Sequence, residues 1–379
     1  MKQKTVFTEN DYSALRKWLQ EVENDPVLFV CDTSIQFLTE LNVFLAEEEQ
    51  QGIRLVRFQE FQPNPLYEQV LAGVERFRRQ CCRAILAVGG GSAIDVAKCI
   101  RIYNGMHGDG VDGSFLTQTV SEEHVPFLAM PTTAGTGSEA TRYAVIYYQG
   151  RKQSVTSLHC IPDVALLDSG ALKTLPEYQK KATMMDAFCH AVESFWSVNS
   201  TEESKGYSRE AIRLVIRHME GYLGNTEEGR REMLRAANLA GRAINITQTT
   251  AGHAMCYKIT GLFGAAHGHA AILCDRILFP WMINHTDQCI DPRGEAYLKE
   301  TLDELGQAMG GTDAQSGAER LEVIFRQLCL KIPTATEEQF ALLKISVNLD
   351  RMKNHPIALD ETTIEMLYRR ILNGENDEG

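Results

Sequence analysis

No stretch of this 379-residue chain is apolar for long enough to cross a bilayer, and its start, Met1-Lys2-Gln3-Lys4, lacks the apolar run of a secretory signal. A cytoplasmic protein with no membrane partner is therefore expected. Positive charge is scarce: 38 Lys and Arg stand against 50 Asp and Glu, a net −12, so a nucleic-acid partner, which needs a basic face, is not expected. Any anionic substrate must then be met by a local cluster of positive groups. The ten cysteines contain no CxxC pair and no framework spacing, which suits reduced thiols. Internal repeats are missing and low complexity is slight; Glu47-Glu48-Glu49 reads as a solvated face and residues 374–379 as a polar tail. What remains is an ordinary globular composition, 44% apolar and 23% charged, long enough for two domains.

The first half alternates short β-rich runs with amphipathic helices, the pattern of βα units on a mostly parallel sheet. Strands are expected at Val27 to Val30, Ile53 to Phe58, Ala84 to Val88 and Phe127 to Met130, and helices at Asp11 to Val22 and Leu66 to Cys81. Tyr143 to Tyr148 and Lys152 to Thr156 read as paired strands across Gln149-Gly150-Arg151. After Asp168 helix-period runs dominate: Arg209 to Tyr222, Arg230 to Ile246, Tyr297 to Met309 and Gly317 to Leu328. The expected architecture is a Rossmann-like α/β nucleotide-binding domain over 1–173 and an all-α domain over 174–379, with a metal in the cleft between.

The dinucleotide fingerprint GxGxxG is also missing. In its place Gly89-Gly90-Gly91-Ser92 follows a strand, and Ser92 and Asp95 have capping-box spacing, so a helix start is expected at Ser92. Three glycines let a backbone approach a pyrophosphate, which then sits on free amides and the positive end of that helix. Alone, this is equally a tight turn. A second loop, Thr132-Thr133-Ala134-Gly135-Thr136-Gly137-Ser138-Glu139, also follows a strand, with the same spacing between Thr136 and Glu139. Its hydroxyls and glycines suit a ribose or a nicotinamide amide. Two such loops favour a nucleotide site at the carboxyl edge of the sheet.

Asp186 and His190 stand four apart in a helical stretch, so they share one face. His253 and His267 follow in Gly252-His253-Ala254 and Ala266-His267-Gly268-His269. One carboxylate and three imidazoles can bind a divalent transition metal and leave room for substrate. Singly, each is a helix cap, a buried ion pair or a core histidine. His269 reads as a supporting or structural residue, and His107, His124, His159, His218, His285 and His355 have no partner spacing.

Gly89-Gly90-Gly91-Ser92 with Asp95, Ala97 and Lys98, Pro131 to Glu139, Pro162 to Asp168, and Asp186 to Glu193 together resemble the iron-containing (group III) alcohol dehydrogenases. The resemblance runs nearly the whole chain. It implies a dehydroquinate synthase-like fold, an NAD(P)H cofactor, one Fe2+ or Zn2+ on the residues matching Asp186, His190, His253 and His267, and a homodimer. It also places Lys152 near the nicotinamide ribose and Asp32 at the adenosine ribose, where a carboxylate favours NAD over NADP. One departure is Tyr257, where many members carry a further histidine; a phenol is a weaker acid at neutral pH, so Tyr257 becomes the candidate proton donor.

Residues 244–260, Ser194 to Thr201 and Ser346-Val347-Asn348 resemble the phosphonoacetaldehyde reductase branch of that family. The implied reaction reduces phosphonoacetaldehyde to 2-hydroxyethylphosphonate. A phosphonate needs cations or donors: Lys258, beside Tyr257, is one candidate, and Arg142, Thr247, Gln248, Thr249, Arg242 and Arg276 are others. The alternatives are a broad alcohol dehydrogenase acting on lactaldehyde, succinic semialdehyde or short diols, a dehydroquinate synthase-like lyase with no net NADH change, and a catalytically silent filament or binding protein.

Overall fold

The computed structural model describes residues 3–22, 25–119, 124–347 and 352–373. The tail read at 374–379 and Asn348 lie outside them. The chain divides into two compact units, one formed by Met1–Leu175 with Asn225–Leu234, the other by Pro176–Gly224 with Arg235–Gly379.

The first unit is built on six parallel strands: β1 (Lys4–Thr8), β2 (Val27–Cys31), β3 (Leu55–Phe58), β4 (Ala84–Gly89), β5 (Phe127–Pro131) and, after the hairpin β6 (Tyr143–Tyr148) and β7 (Arg151–Thr156), β8 (Val164–Asp168). The sheet order is β1-β8-β5-β4-β2-β3. Helices α1 (Ser13–Glu21), α2 (Thr39–Gln50), α3 (Tyr67–Arg79) and α4 (Gly91–Asn104) complete it. Successive strand residues point to opposite faces. Leu28, Val30, Ile85 and Ala87 pack with Val70, Val74 and Ile94 of α3 and α4; Val27, Phe29, Leu86 and Val88 pack with Leu15, Leu19, Leu41 and Leu45 of α1 and α2. Both faces are covered, which is why these strands read as continuous apolar runs.

Two strands are not anticipated from the sequence. β1 is a half-exposed edge strand of mixed composition, and β8 sits beside it in register from Lys4↔Val164 to Thr8↔Asp168. The hairpin turn is shorter than read: Tyr148 pairs Arg151, and Gln149 and Gly150 both take positive φ, 50° and 72°, the two-residue geometry that matches strand twist. Glu48, read as part of a solvated face, is buried and bonded by Arg16 Nε at 2.7 Å.

Neither expected capping box forms. α4 starts at Gly91 with Gly90 as its cap residue, so Ser92 is already inside the helix. Asp95 instead accepts from Ser138 Oγ at 2.7 Å and from the Val145 amide at 2.9 Å. Thr136 Oγ1 accepts from the Ser138 amide at 3.1 Å, and Ser138–Ala140 is a short 3-10 turn. Tertiary partners out-compete the local caps. Lys98, one turn beyond Asp95 and fully buried, donates to Ser138 Oγ (2.9 Å), Thr141 Oγ1 (3.0 Å) and the Tyr143 carbonyl (2.7 Å), one acceptor for each ammonium hydrogen. Burial pushes Lys98 down and Asp95 up, towards neutrality. The full set of three acceptors and the carboxylate at 4.0 Å favour the charged pair. This pair ties α4 to the second loop and the hairpin.

The second unit is helical throughout among the described residues: α5 (Glu177–Trp196), α6 (Glu202–Leu223), α7 (Glu227–Thr247), α8 (Ala251–Phe263), α9 (His267–Ile283), α10 (Glu295–Ala308), α11 (Ala314–Leu328), α12 (Glu337–Ile345) and α13 (Glu361–Asn373). The first residues of α7 belong to the first unit. There the buried Arg230 donates to Glu9 Oε1 at 2.5 Å and to the Ser169 carbonyl at 3.0 Å. Among the described residues no helix is long and apolar enough to cross a membrane. All ten cysteines are free thiols.

Removing one member of a buried ion pair strands the other. Lys98→Met is expected to lower unfolding free energy by about 3–5 kcal/mol in urea titration, and Lys98→Met with Asp95→Asn to recover much of that loss.

Candidate functional site: a metal-type cluster and two cofactor-type loops

In the first unit β2→β3 runs one way along the sheet and β4→β5→β8 the other, so the strand order reverses between β2 and β4. Open parallel sheets bind ligands beyond the carboxyl ends of the strands at such a point. The residues that follow β2, β4 and β5 are the ones singled out in the sequence. Asp32, after β2, accepts from the Gly90 amide at 3.0 Å through Oδ2 and from the Ser34 amide at 2.9 Å through Oδ1. A methyl group on Gly89 would lie 2.6 Å from Asp32 Oδ2 and from Ala93 Cβ, so only glycine fits. Thr133 lies closest to a methyl group built on Gly90, and Thr136 to one built on Gly91, because β4 pairs β5 up to Gly89↔Pro131. Thr132 Oγ1 meets Ser34 Oγ at 3.2 Å.

Thus Gly89, Gly90, Gly91, Ser92, Thr132, Thr133 and Thr136 gather with Asp32 around the N-terminus of α4. Asp95 and Ser138 do not present themselves to a ligand; they are bonded to each other and to Lys98 or Val145. Lys152 lies in β7, and its charge acts on Asp95.

In the second unit Asp186, His190 and Glu193 lie on one face of α5, at spacings of four and seven. α8 brings His253 and α9 brings His267 at its first residue. Gly268 permits the approach: a methyl there would fall 2.1 Å from the Ala182 carbonyl oxygen and 2.5 Å from Asp186 Cβ. Asp186, His253 and His267 each offer one donor atom within 4.8 Å of the others. His253 Nε2 is 3.5 Å, and His267 Nε2 3.9 Å, from Asp186 Oδ1. Two donors about 2.1 Å from one ion at the tetrahedral angle stand about 3.4 Å apart. Asp186 Oδ1 and His253 Nε2 are buried with no protein hydrogen-bond partner. Spacing, donor chemistry and orphaned atoms all fit a divalent ion. His190 joins differently: its ring stacks on His253, centroids 4.4 Å apart at 13°.

Glu193, a residue the sequence reading assigns no role, organises this cluster. Fully buried, it accepts the His253 amide at 2.9 Å and the Thr250 hydroxyl at 2.8 Å, and it also takes the Thr250 amide and His253 Nδ1. It is both an anion at the N-terminus of α8 and the anchor of the imidazole. With Nδ1–H given to Glu193, Nε2 turns to Asp186. Trp196 Nε1 donates to Thr250 Oγ1 at 2.8 Å, which extends the brace. The spacing of seven from Asp186 was the available signal. His269 accepts from Tyr178 Oη at 3.0 Å while its Nε2 meets the Lys331 carbonyl at 2.9 Å, and that phenol takes the Ala266 amide at 3.0 Å. The link steadies the approach to His267.

Burial pushes Asp186 up, but the charges of His190, His267 and His253 around it hold its carboxyl well below the usual range. Burial pushes His253 down; the carboxylates of Glu193 and Asp186 outweigh it and raise the imidazole to about 10. Tyr257, one turn beyond His253, stacks on the His267 ring at 5.1 Å. Lys258 is half-buried on α8, about 100° around the helix from Tyr257. Among the phosphonate candidates, Arg276 is committed to Glu322, the Ile371 carbonyl and the Phe325 face. The Thr247 hydroxyl is committed to Ser194 and the Gln248 carbonyl.

A parallel sheet with a glycine turn at its switch point, followed along the chain by a helical unit that carries a carboxylate–imidazole cluster, is a Rossmann-like α/β plus all-α fold with groups suited to a nucleotide and a metal. The profile described as iron-containing alcohol dehydrogenase matches residues 2–169, and its C-terminal counterpart matches residues 180–370. Alcohol dehydrogenase 4 of Schizosaccharomyces pombe is 32% identical over 68% of this chain, a match spanning 60% of that protein's length. Phosphonoacetaldehyde reductase of Streptomyces viridochromogenes is 30% identical over 79% of each chain. The crystal structure of sulfoacetaldehyde reductase from Bifidobacterium kashiwanohense in complex with NAD+ superposes with a TM-score of 0.86 at 23% identity, covering 98% of both chains. The chain belongs to the iron-containing alcohol dehydrogenase family and is an oxidoreductase of that family.

Two expectations follow for purified metal-free protein titrated with Zn2+ against a chelator. Glu193→Gln is expected to weaken binding about 10–100-fold by releasing the ring. Because His253 keeps a second proton to about 10, an incoming ion must expel it. Affinity is then expected to rise with pH through the neutral range, by about tenfold per unit where that proton alone is displaced.

Proposed function

We propose that this chain is a nicotinamide-linked, divalent-metal-dependent aldehyde reductase and alcohol dehydrogenase, and that phosphonoacetaldehyde is its substrate, reduced to 2-hydroxyethylphosphonate. The observation that carries the metal dependence is the pair of orphaned buried donors, Asp186 Oδ1 and His253 Nε2, 3.5 Å apart. Asp186, His253 and His267 are the proposed ligands, with His190 on the same face of α5 as the fourth. A set of one carboxylate and imidazoles accepts Fe2+ or Zn2+.

Once bound, such an ion supplies Lewis acidity toward a carbonyl oxygen, and a bound NADH supplies the hydride. The chain's own residues place and hold. Glu193 keeps His253 in one tautomer. The side chain of Asp186 is 4% exposed and that of His267 35%, which leaves the His267 side open to a small aldehyde. The Gly91 and Ser92 amides at the start of α4 suit a pyrophosphate, and Thr132, Thr133 and Thr136 suit ribose and amide oxygens. Asp32 would accept a ribose hydroxyl and repel a 2′-phosphate, which favours NAD; Lys152 is read at the nicotinamide ribose. Tyr257, stacked on His267, is the hydroxyl we assign to proton transfer.

Support for the phosphonate comes from the Streptomyces relative. Arg276 and Thr247 are committed elsewhere; of the remaining candidates we assign Lys258, next to Tyr257 in the chain, to meet it. The test is NADH oxidation by anaerobically Fe(II)-loaded protein with phosphonoacetaldehyde, lactaldehyde and succinic semialdehyde. A strong preference for the first in kcat/KM is expected. Equal turnover of all three would leave a broad alcohol dehydrogenase, and silence with NADH and NADPH alike would sink the reductase reading. Lys258→Ala should raise KM for phosphonoacetaldehyde by about tenfold or more, the worth of one charge-assisted hydrogen bond, and leave lactaldehyde nearly untouched.

A further inference from the structure

His267 is the least buried donor of the cluster: its side chain is 35% exposed, against 1% for His253 and 4% for Asp186. It is also the first residue of α9, so its ring has no preceding turn of its own helix to lie on. A side chain so placed spreads over several rotamers, and ordering it when an ion binds costs affinity. For His253 that ordering is done in advance by Glu193. For His267 it is done by α8.

Three side chains of α8 close on the His267 ring. His253 meets it edge-on, centroids 5.2 Å apart at 65°. Tyr257 covers one face at 5.1 Å and 24°. Cys256, fully buried between them in sequence, brings Sγ to 3.6 Å from Nδ1. The sulfur contact decides which way the ring points, since Nε2, at the other edge, then lies 3.9 Å from Asp186 Oδ1.

Counting hydrogens gives the direction of that contact. A thiol has one hydrogen. Cys256 sends it along its own helix to the His253 carbonyl, Sγ to oxygen 3.5 Å. Towards His267 the sulfur is therefore the acceptor, and Nδ1–H is the donor. Nε2 is left with its lone pair facing the carboxylate. His253 is arranged alike, Nδ1 on Glu193 and Nε2 towards Asp186. A metal-binding imidazole is commonly held this way, by the N–H opposite its donor atom. Sulfur accepts more weakly than a carboxylate, so this hold is the softer of the two.

We propose that Cys256 is a positioning residue for the metal cluster: its sulfur accepts the Nδ1–H of His267 and so aims Nε2 at the point shared with Asp186 and His253. One helix then supplies a ligand and, a turn later, the support of the next ligand. The consequence for metal binding rests on the metal reading of Asp186, His253 and His267; the thiol–imidazole hydrogen bond does not.

The test compares full-length wild type, Cys256→Ser and Cys256→Ala. Ser keeps one hydrogen and its lone pairs at the same place, and Ala removes both. In metal-free protein, proton–nitrogen NMR reads the His267 Nδ1–H, assigned by its disappearance in His267→Gln, and its exchange with water. Zn2+ affinity is read by chelator competition. A protected Nδ1–H is expected in wild type and Ser, and faster exchange in Ala. Affinity is expected within about threefold of wild type for Ser and about tenfold weaker for Ala, the low end for a ligand's support because sulfur is a weak acceptor. An Nδ1–H no better protected in wild type than in Ala overturns the proposal. So does Ala binding Zn2+ like wild type, or Ser losing as much as Ala. If Cys256→Ala does not fold, Cys256→Val takes its place with the same expectations. If wild type binds no Zn2+ while its Nδ1–H is protected, the metal reading and the positioning role fall together and the hydrogen bond stands.

Discussion

The second unit turns on one buried carboxylate meeting the start of one helix. Glu193 on α5 collects amides and a hydroxyl at the N-terminus of α8, where free N–H groups and the helix dipole favour an anion. The same contact aims His253, because the imidazole sits within the first turn it caps. Helix packing and ligand orientation are thus one interaction. The apposition of α9 to α5, possible because residue 268 has no side chain, brings the remaining histidine alongside. Little of this is loop structure, so the donors are held by rigid elements, as a metal cluster requires.

The first unit solves a different problem. Its ligand-type groups are backbone amides and hydroxyls on loops, and loops need fastening. The parallel register of β2, β4 and β5 puts their ends side by side, and side chains then lock them: Asp32 onto the glycine turn, and Asp95 with Lys98 onto the threonine loop. The buried Lys98 is costly to place, and three acceptors offset that cost.

The residue types and their spacing made much of this legible. Asp186 and His190 announce a shared helix face by separation alone, and the apolar runs at 27–31 and 84–88 announce a sheet covered on both sides. Hydrogen-bond bookkeeping was not legible. Ser92 and Asp95 satisfy the local rule for a helix cap, yet Asp95 is taken by Ser138 and Val145, residues far along the chain. Glu193 looks like an ordinary helix acid until the fold buries it against the start of α8. β1 escaped notice because an edge strand need not be apolar; its identity comes from pairing with β8.

That pairing, with the Arg230 contacts, bears on the order in which the molecule assembles. β1 opens the chain, but its partner β8 is made some 160 residues later. Arg230, which holds Glu9 and the Ser169 carbonyl, is later still, after two helices of the other unit. During synthesis β1 therefore stays unpaired until β8 is made, and Glu9 and the Ser169 carbonyl wait for Arg230 until the ribosome has built well into the helical half. A fragment cut at Leu175 lacks Arg230 and leaves Glu9 without its cation, so the nucleotide-type unit is a product of the whole chain and not of its first half.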